Sequence, residues 1–356
     1  MILVLTFIRN LLLSLTVFIF ILIDPIGADT QSKYFKKALS DYQIKFPQDH
    51  GEHKNFKVEW WYVTANLSSE IFGELGVQWT LFKNELAQSD KKTSWDLSSF
   101  WMAHSAITTK KHHFYEERFA RKNMGLAGVT LSPFKAWIDN WSASGDNELK
   151  KLTIKSNGKN FSYKLELETQ FSPVLQGKNG FSVKSSTGNA SHYYSQPFYS
   201  VKGWVEIKGI KEKVKGLAWL DREWSSDLLS ENQVGWDWLS IHLESGNKLM
   251  LFQVREKDGN NFVSGSWINK DGSKQVLSAK KISIKELKSK SYIWGKIPVK
   301  WQVDIPEKSL YLTITPLNEN SFMDTLVPYW EGPVKLLGKD KGVGYLEMTG
   351  YKKYGN

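Results

Sequence analysis

From Phe56 onward the chain alternates apolar and polar residues with period two, in short runs broken by Gly, Asn, Asp and Ser. Period two sends successive side chains to opposite faces of an extended backbone, so each run reads as a half-buried strand. Leu152-Thr153-Ile154-Lys155, Tyr163-Lys164-Leu165-Glu166-Leu167 and Leu310-Tyr311-Leu312-Thr313-Ile314 are examples. Ser156-Asn157-Gly158, Lys257-Asp258-Gly259 and Lys270-Asp271-Gly272 supply the turn chemistry of hairpin loops. Only Tyr34 to Tyr42 reads as helical, a short lead-in to the first strand. The pattern predicts an all-β chain arranged as barrels or sandwiches.

An internal repeat sharpens the picture. Glu59-Trp60-Trp61-Tyr62-Val63-Thr64-Ala65-Asn66-Leu67 aligns with Gly235-Trp236-Asp237-Trp238-Leu239-Ser240-Ile241-His242-Leu243. Each is followed by a second strand, Trp79 to Lys83 in one half and Leu251 to Arg255 in the other. Later in each half, Ala218-Trp219-Leu220-Asp221 resembles Gly344-Tyr345-Leu346-Glu347, and each is preceded by a Pro-aromatic-aromatic step (Pro197-Phe198-Tyr199 and Pro328-Tyr329-Trp330). The shared order predicts two similar β domains, 29–228 and 229–356, with the junction between Trp224 and Gly235.

The first 28 residues stand apart. Leu11 to Ile23 is an apolar run after Arg9, and Asp24-Pro25-Ile26-Gly27-Ala28 follows it. A basic start, a short apolar core and a small residue describe a signal peptide cleaved after Ala28. That predicts export to the periplasm or beyond; an uncleaved N-terminal membrane anchor is the alternative.

Composition narrows the chemistry. The 356 residues include no cysteine, which excludes disulfides, thiolate metal sites and a thiol nucleophile. Sixteen Trp, 14 Tyr and 19 Phe imply much rigid apolar surface, as core or as ligand wall. The net charge of +10 is spread over scattered Lys, which reads as a solvated sheet face or a weak attraction to a membrane surface. No nucleic-acid motif is present, so nucleic acid is not an expected partner.

Within a strand, Trp219, Asp221 and Glu223 share one face. Two carboxylates beside a Trp suit an acid/base pair in a low-dielectric site, or else an ion network with Arg222. His192 and Tyr194 likewise share a face. The segment Asp49-His50-Gly51-Glu52-His53, followed by Glu59, invites a metal reading, but lacks a helix to place its histidines on one ion. Neither metal nor cofactor is therefore expected. The ligand-binding candidates are Glu59, Trp61, His104, Glu223, Trp236 and Trp238, although His104 alone on a buried strand also reads as a satisfied core group.

Several segments resemble the AttH-like and carotenoid 1,2-hydratase-like family. They are Phe46-Pro47 through His50-Gly51, Glu59-Trp60-Trp61-Tyr62, Met102-Ala103-His104, Glu117 to Arg121, Tyr194 to Pro197, Trp219 to Ser225, Gly235 to Trp238 and Gly344 to Tyr351. The likeness is greatest to the AttH-like branch, often described as secreted hydrolases. The resemblance implies two lipocalin-like antiparallel β-barrels in tandem. It also implies catalytic positions at His192, Tyr194, Trp219 and Asp221, matching the hydratase branch's His-x-Trp and Tyr-x-Asp pairs with the two aromatic types exchanged. The implied activity is hydration of a C=C bond in a long apolar isoprenoid or lipid ligand. The competing class is a non-catalytic carrier of a hydrophobic small molecule, working with an ABC-type transporter.

Overall fold

The computed structural model describes residues 35–86, 99–227, 229–293 and 295–352; the apolar N-terminal run and Ala28, on which the export reading rests, lie outside them. Among the described residues there are 23 strands and no α-helix, only three-residue 3-10 turns. The strands form two antiparallel sheets, one from Val58–Ser69 to Ile210–Ser225 and one from Gln233–Leu243 to Gly342–Thr349. In each sheet the opening strand pairs with both the second strand and the last, so the sheet curls around its own apolar face. The architecture is two lipocalin-like β-barrels in tandem.

The expected lead-in helix is absent. Phe35 to Leu39 carry no regular structure and Leu39 to Tyr42 form a turn; Phe35 is buried, and the Tyr42 ring lies tilted 4.6 Å from the His192 ring. Nine residues are too few for a self-sustaining helix, so these ring contacts override propensity.

Alternation decides what each barrel keeps inside. From the strand Ile210–Ser225, Ala218, Leu220 and Trp224 enter the first core, with Trp61, Trp79, Trp141 and Tyr194. From the second barrel, Leu239, Ile241, Leu346 and Met348 do the same. The interiors are therefore packed with large side chains. A third cluster lies between the barrels and joins Tyr62, Tyr193 and Trp219 of one to Trp238, Phe252 and Tyr345 of the other. Asn66 Nδ2 donates to Gly344 O at 2.8 Å, and Lys274 Nζ donates to Leu175 O at 2.6 Å, across the same interface. Gly76 admits Pro333 of the second barrel, since a Cβ there would lie 2.6 Å from the proline Cγ.

Candidate active site between the two barrels

The facing outer surfaces enclose a cavity of about 530 Å³, a size that suits a small organic ligand. Trp60, Tyr62 and Phe82 of the first barrel and Trp236, Trp238 and Phe252 of the second line it. Asp221, Glu223 and Glu347 also face it. The two halves are related by the sequence repeat: Tyr62 pairs with Asp221 across strands as Trp238 pairs with Glu347.

Asp221 is held by a defined set of donors. Ser195, its cross-strand neighbour, donates its hydroxyl to Oδ1, and Trp219 Nε1 donates to the same oxygen at 2.8 Å. Oδ2 is buried and makes no hydrogen bond of its own, though the Tyr193 hydroxyl lies near the carboxyl. Burial pushes the Asp221 carboxyl up to about 7, so it holds its proton at mildly acidic pH. Arg222 does not counter this, because it turns to the other face and pairs with Glu59. The neighbouring Glu223 is paired with Lys184 at 2.7 Å and accepts from Ser191.

Glu347 is the second raised carboxyl. Trp236 Nε1 donates to it at 2.6 Å, and burial pushes it up to about 7. Its cross-strand neighbour Glu331 accepts the Tyr62 hydroxyl, and the Tyr329 hydroxyl lies close to the same carboxyl. Burial, reinforced by the charge of Glu347, holds Glu331 well above the usual carboxylate range.

Of the residues expected from sequence, Asp221, Glu223, His104, Trp236 and Trp238 line the cavity, and Trp219 orients Asp221. His192 and Tyr194 do not join them. They pair with Trp224 and Arg222, so they point into the first barrel while Asp221 points out of it. The expected grouping of His192 and Tyr194 with Asp221 as catalytic positions is thereby corrected: a sheet separates their side chains from that of Asp221. Glu59 and Trp61 also lie on the inner face, where they form structure and not cavity wall.

That inner cluster is an ion network. Arg222 pairs with Glu59 and lies 3.8 Å over the Trp61 ring. Lys83 pairs with Glu59 at 3.2 Å, and His53 bridges Glu59 and Asp49 at 3.2 and 3.0 Å. Tyr194 and His50 share a 2.6 Å hydrogen bond beside it. Both ring nitrogens of His53 are thus engaged, and among the described residues no cluster has the donors of a metal site. Burial alone would raise Glu59, but Arg222, His53 and Lys83 outweigh it and hold the carboxyl down at about 2. A group lowered on folding contributes stability above its unfolded value and loses it as pH falls. The first barrel should therefore weaken as pH drops from about 4.5 toward 2, which tryptophan fluorescence against pH would follow.

The cavity carboxyls act in the opposite sense. Their pKa values are raised on folding, so their contribution is full below about 4 and is lost as pH rises through about 7. Asp221→Asn should accordingly raise Tm by several degrees at pH 8 and change it little at pH 4. An unchanged Tm at pH 8, measured by calorimetry, would contradict the burial of a reluctant carboxylate there.

Sequence reasoning passed over Tyr62, Tyr193, Tyr329 and Glu331. For Glu347 a signal existed: the repeat aligns it with Asp221.

Comparison with known proteins agrees with this arrangement. A crystal structure of a protein assigned as AttH from Nitrosomonas europaea superposes with a TM-score of 0.80 at 29% identity, covering 89% of this chain and 100% of that one. Kievitone hydratase from Nectria haematococca superposes with a TM-score of 0.67 at 13% identity, covering 89% and 98%, and shares the fold. No curated protein matches by sequence. The AttH-like family model matches residues 37–351, nearly all of both barrels and the cavity between them, and the chain belongs to the AttH-like family.

Proposed function

We propose that the interdomain cavity takes a long apolar isoprenoid or lipid chain and adds water across one of its C=C bonds, or runs the reverse elimination. The observation that carries this is Asp221, a carboxyl kept protonated near neutrality, with one oxygen that makes no hydrogen bond of its own, in an aromatic-walled cavity. Support comes from the match of Trp219-x-Asp221 to the hydratase branch's acid motif, and from a protein of like fold being a kievitone hydratase.

The step is one of general acid catalysis. The Asp221 O–H proton goes to one alkene carbon, and the π bond supplies the electron pair, leaving a tertiary cation. The faces of Trp60, Tyr62 and Trp238 stabilise that cation through their quadrupoles, by about 2 kcal/mol in a desolvated site. A water oxygen then forms the C–O bond, and its surplus proton passes to the Glu347 carboxylate on the opposite wall. Glu347 supplies the acceptor that His192, facing into the first barrel, cannot.

The second reading is a carrier, exported by the N-terminal apolar run and serving a membrane transporter. An aromatic cavity suits it equally well, but it has no use for a protonated carboxyl. Native mass spectrometry of protein from its own host separates the two. An enzyme incubated with its extracted ligand changes the ligand's mass by one water, whereas a carrier returns it unchanged.

A further inference from the structure

Water addition leaves a proton on Glu347 at every turnover, and the apolar chain that fills the cavity displaces the water that would remove it. The structure offers another exit. Glu331 and Glu347 are cross-strand neighbours in the second barrel, and His104 and Glu117 are cross-strand neighbours in the first. Tyr62 donates to Glu331 and lies within hydrogen-bond reach of Glu347. The Tyr329 hydroxyl, two residues along the same strand face, is also within reach of the Glu331 carboxyl. Tyr329 meets His104 Nδ1 at 2.8 Å, and His104 Nε2 meets Glu117 at 3.0 Å. Glu331 and His104 are buried, whereas the Glu117 side chain is 21% exposed at the surface.

We propose that Glu347, Tyr62, Glu331, Tyr329, His104 and Glu117 form a proton relay that crosses the domain interface three times and connects the cavity to solvent. The idea rests on the hydratase reading for its purpose, though its geometry does not depend on it. Each member can accept on one side and donate on the other. Glu347 gives its proton to the Tyr62 oxygen, and Tyr62 passes its own to Glu331. Glu331 gives a proton to the Tyr329 oxygen, and Tyr329 passes its own to His104 Nδ1. His104 releases the proton on Nε2 to the Glu117 carboxylate, which sheds it to water. The imidazole changes tautomer, every O–H and N–H lost is replaced, and the net result is one proton moved from Glu347 to solvent. A purely structural network would not require a surface-exposed carboxylate at its end.

The relay can be read without any substrate. Rapid mixing of the intact protein into D₂O, followed by infrared spectroscopy, times the exchange of the buried protonated carboxyls, while amide exchange reports the fold. His104→Phe removes both ring nitrogens, and Glu117→Gln removes the surface acceptor with little risk to folding. We expect each to slow carboxyl exchange by at least about tenfold at native amide protection, since positioned proton transfer contributes on the order of 10²–10⁴. Imidazole added to His104→Ala should restore the rate, an outcome that lost packing alone would not give. Exchange at the wild-type rate in both His104→Phe and Glu117→Gln, or the absence of any protonated carboxyl band, would overturn the relay. Should His104→Phe fail to fold, Glu117→Gln decides alone. Slowed exchange in a protein that never hydrates its ligand would keep the relay and remove the hydratase reading; turnover with unslowed exchange would do the reverse.

Discussion

Asp221→Asn should lower turnover by about 10²–10⁴-fold while changing ligand affinity little, because the amide keeps the shape and loses the transferable proton. The substitution is close to isosteric, and Oδ1 can still accept from Ser195 and Trp219. A steady-state comparison should thus show kcat falling with KM nearly constant. Activity of the wild type should peak near pH 7, declining above it as Asp221 loses the proton it donates and below it as Glu347 gains one and can no longer accept. A kcat within threefold or so of wild type in the Asn variant would remove Asp221 from the chemistry, general acids being worth far more than that.

The second large effect is on stability. Arg222→Met should destabilise the protein by about 3–5 kcal/mol, because it strands the buried Glu59 carboxylate with Lys83 and His53 alone. Arg222 is fully buried and also donates to the carbonyls of Gly51 and Glu223, so its loss leaves further acceptors unsatisfied. Urea unfolding should show a lower midpoint at an unchanged m-value. The double variant Arg222→Met with Glu59→Met should recover part of the loss, since apolar replacements of both partners avoid the stranded charge. A loss below about 1 kcal/mol in the single variant would mean that the pair contributes no more than an exposed one.

The strand content and the two-barrel repeat were legible because period-two alternation is local and survives in almost every run. The alternation also placed Trp219, Asp221 and Glu223 correctly on one face. What it cannot tell is which face turns inward, and that depends on the pairing of distant strands. The register that sets His192 opposite Trp224 and Ser195 opposite Asp221 decides that Ser195 is the acid's partner and His192 is not. A shift of one residue would have turned Ser195 inward and His192 outward. The helical reading of the lead-in failed for a related reason, as its ring contacts come from residues more than 100 positions away. Glu331 was missed because a lone Glu after Tyr329-Trp330 carries no pattern. Its meaning comes only from Tyr62 of the other barrel and from Glu347 on the adjacent strand.

The central claim is that Asp221 donates a proton to an alkene held between the barrels and that water captures the resulting cation. The most direct test incubates the ligand extracted from the host's own protein with purified wild type and Asp221→Asn in ¹⁸O-enriched water, and reads the product by mass spectrometry. The account predicts ¹⁸O entering the ligand as one added water in the wild type, and almost none in the variant over the same time. Ligand recovered from the wild type without label, or labelled equally by both proteins, would contradict it.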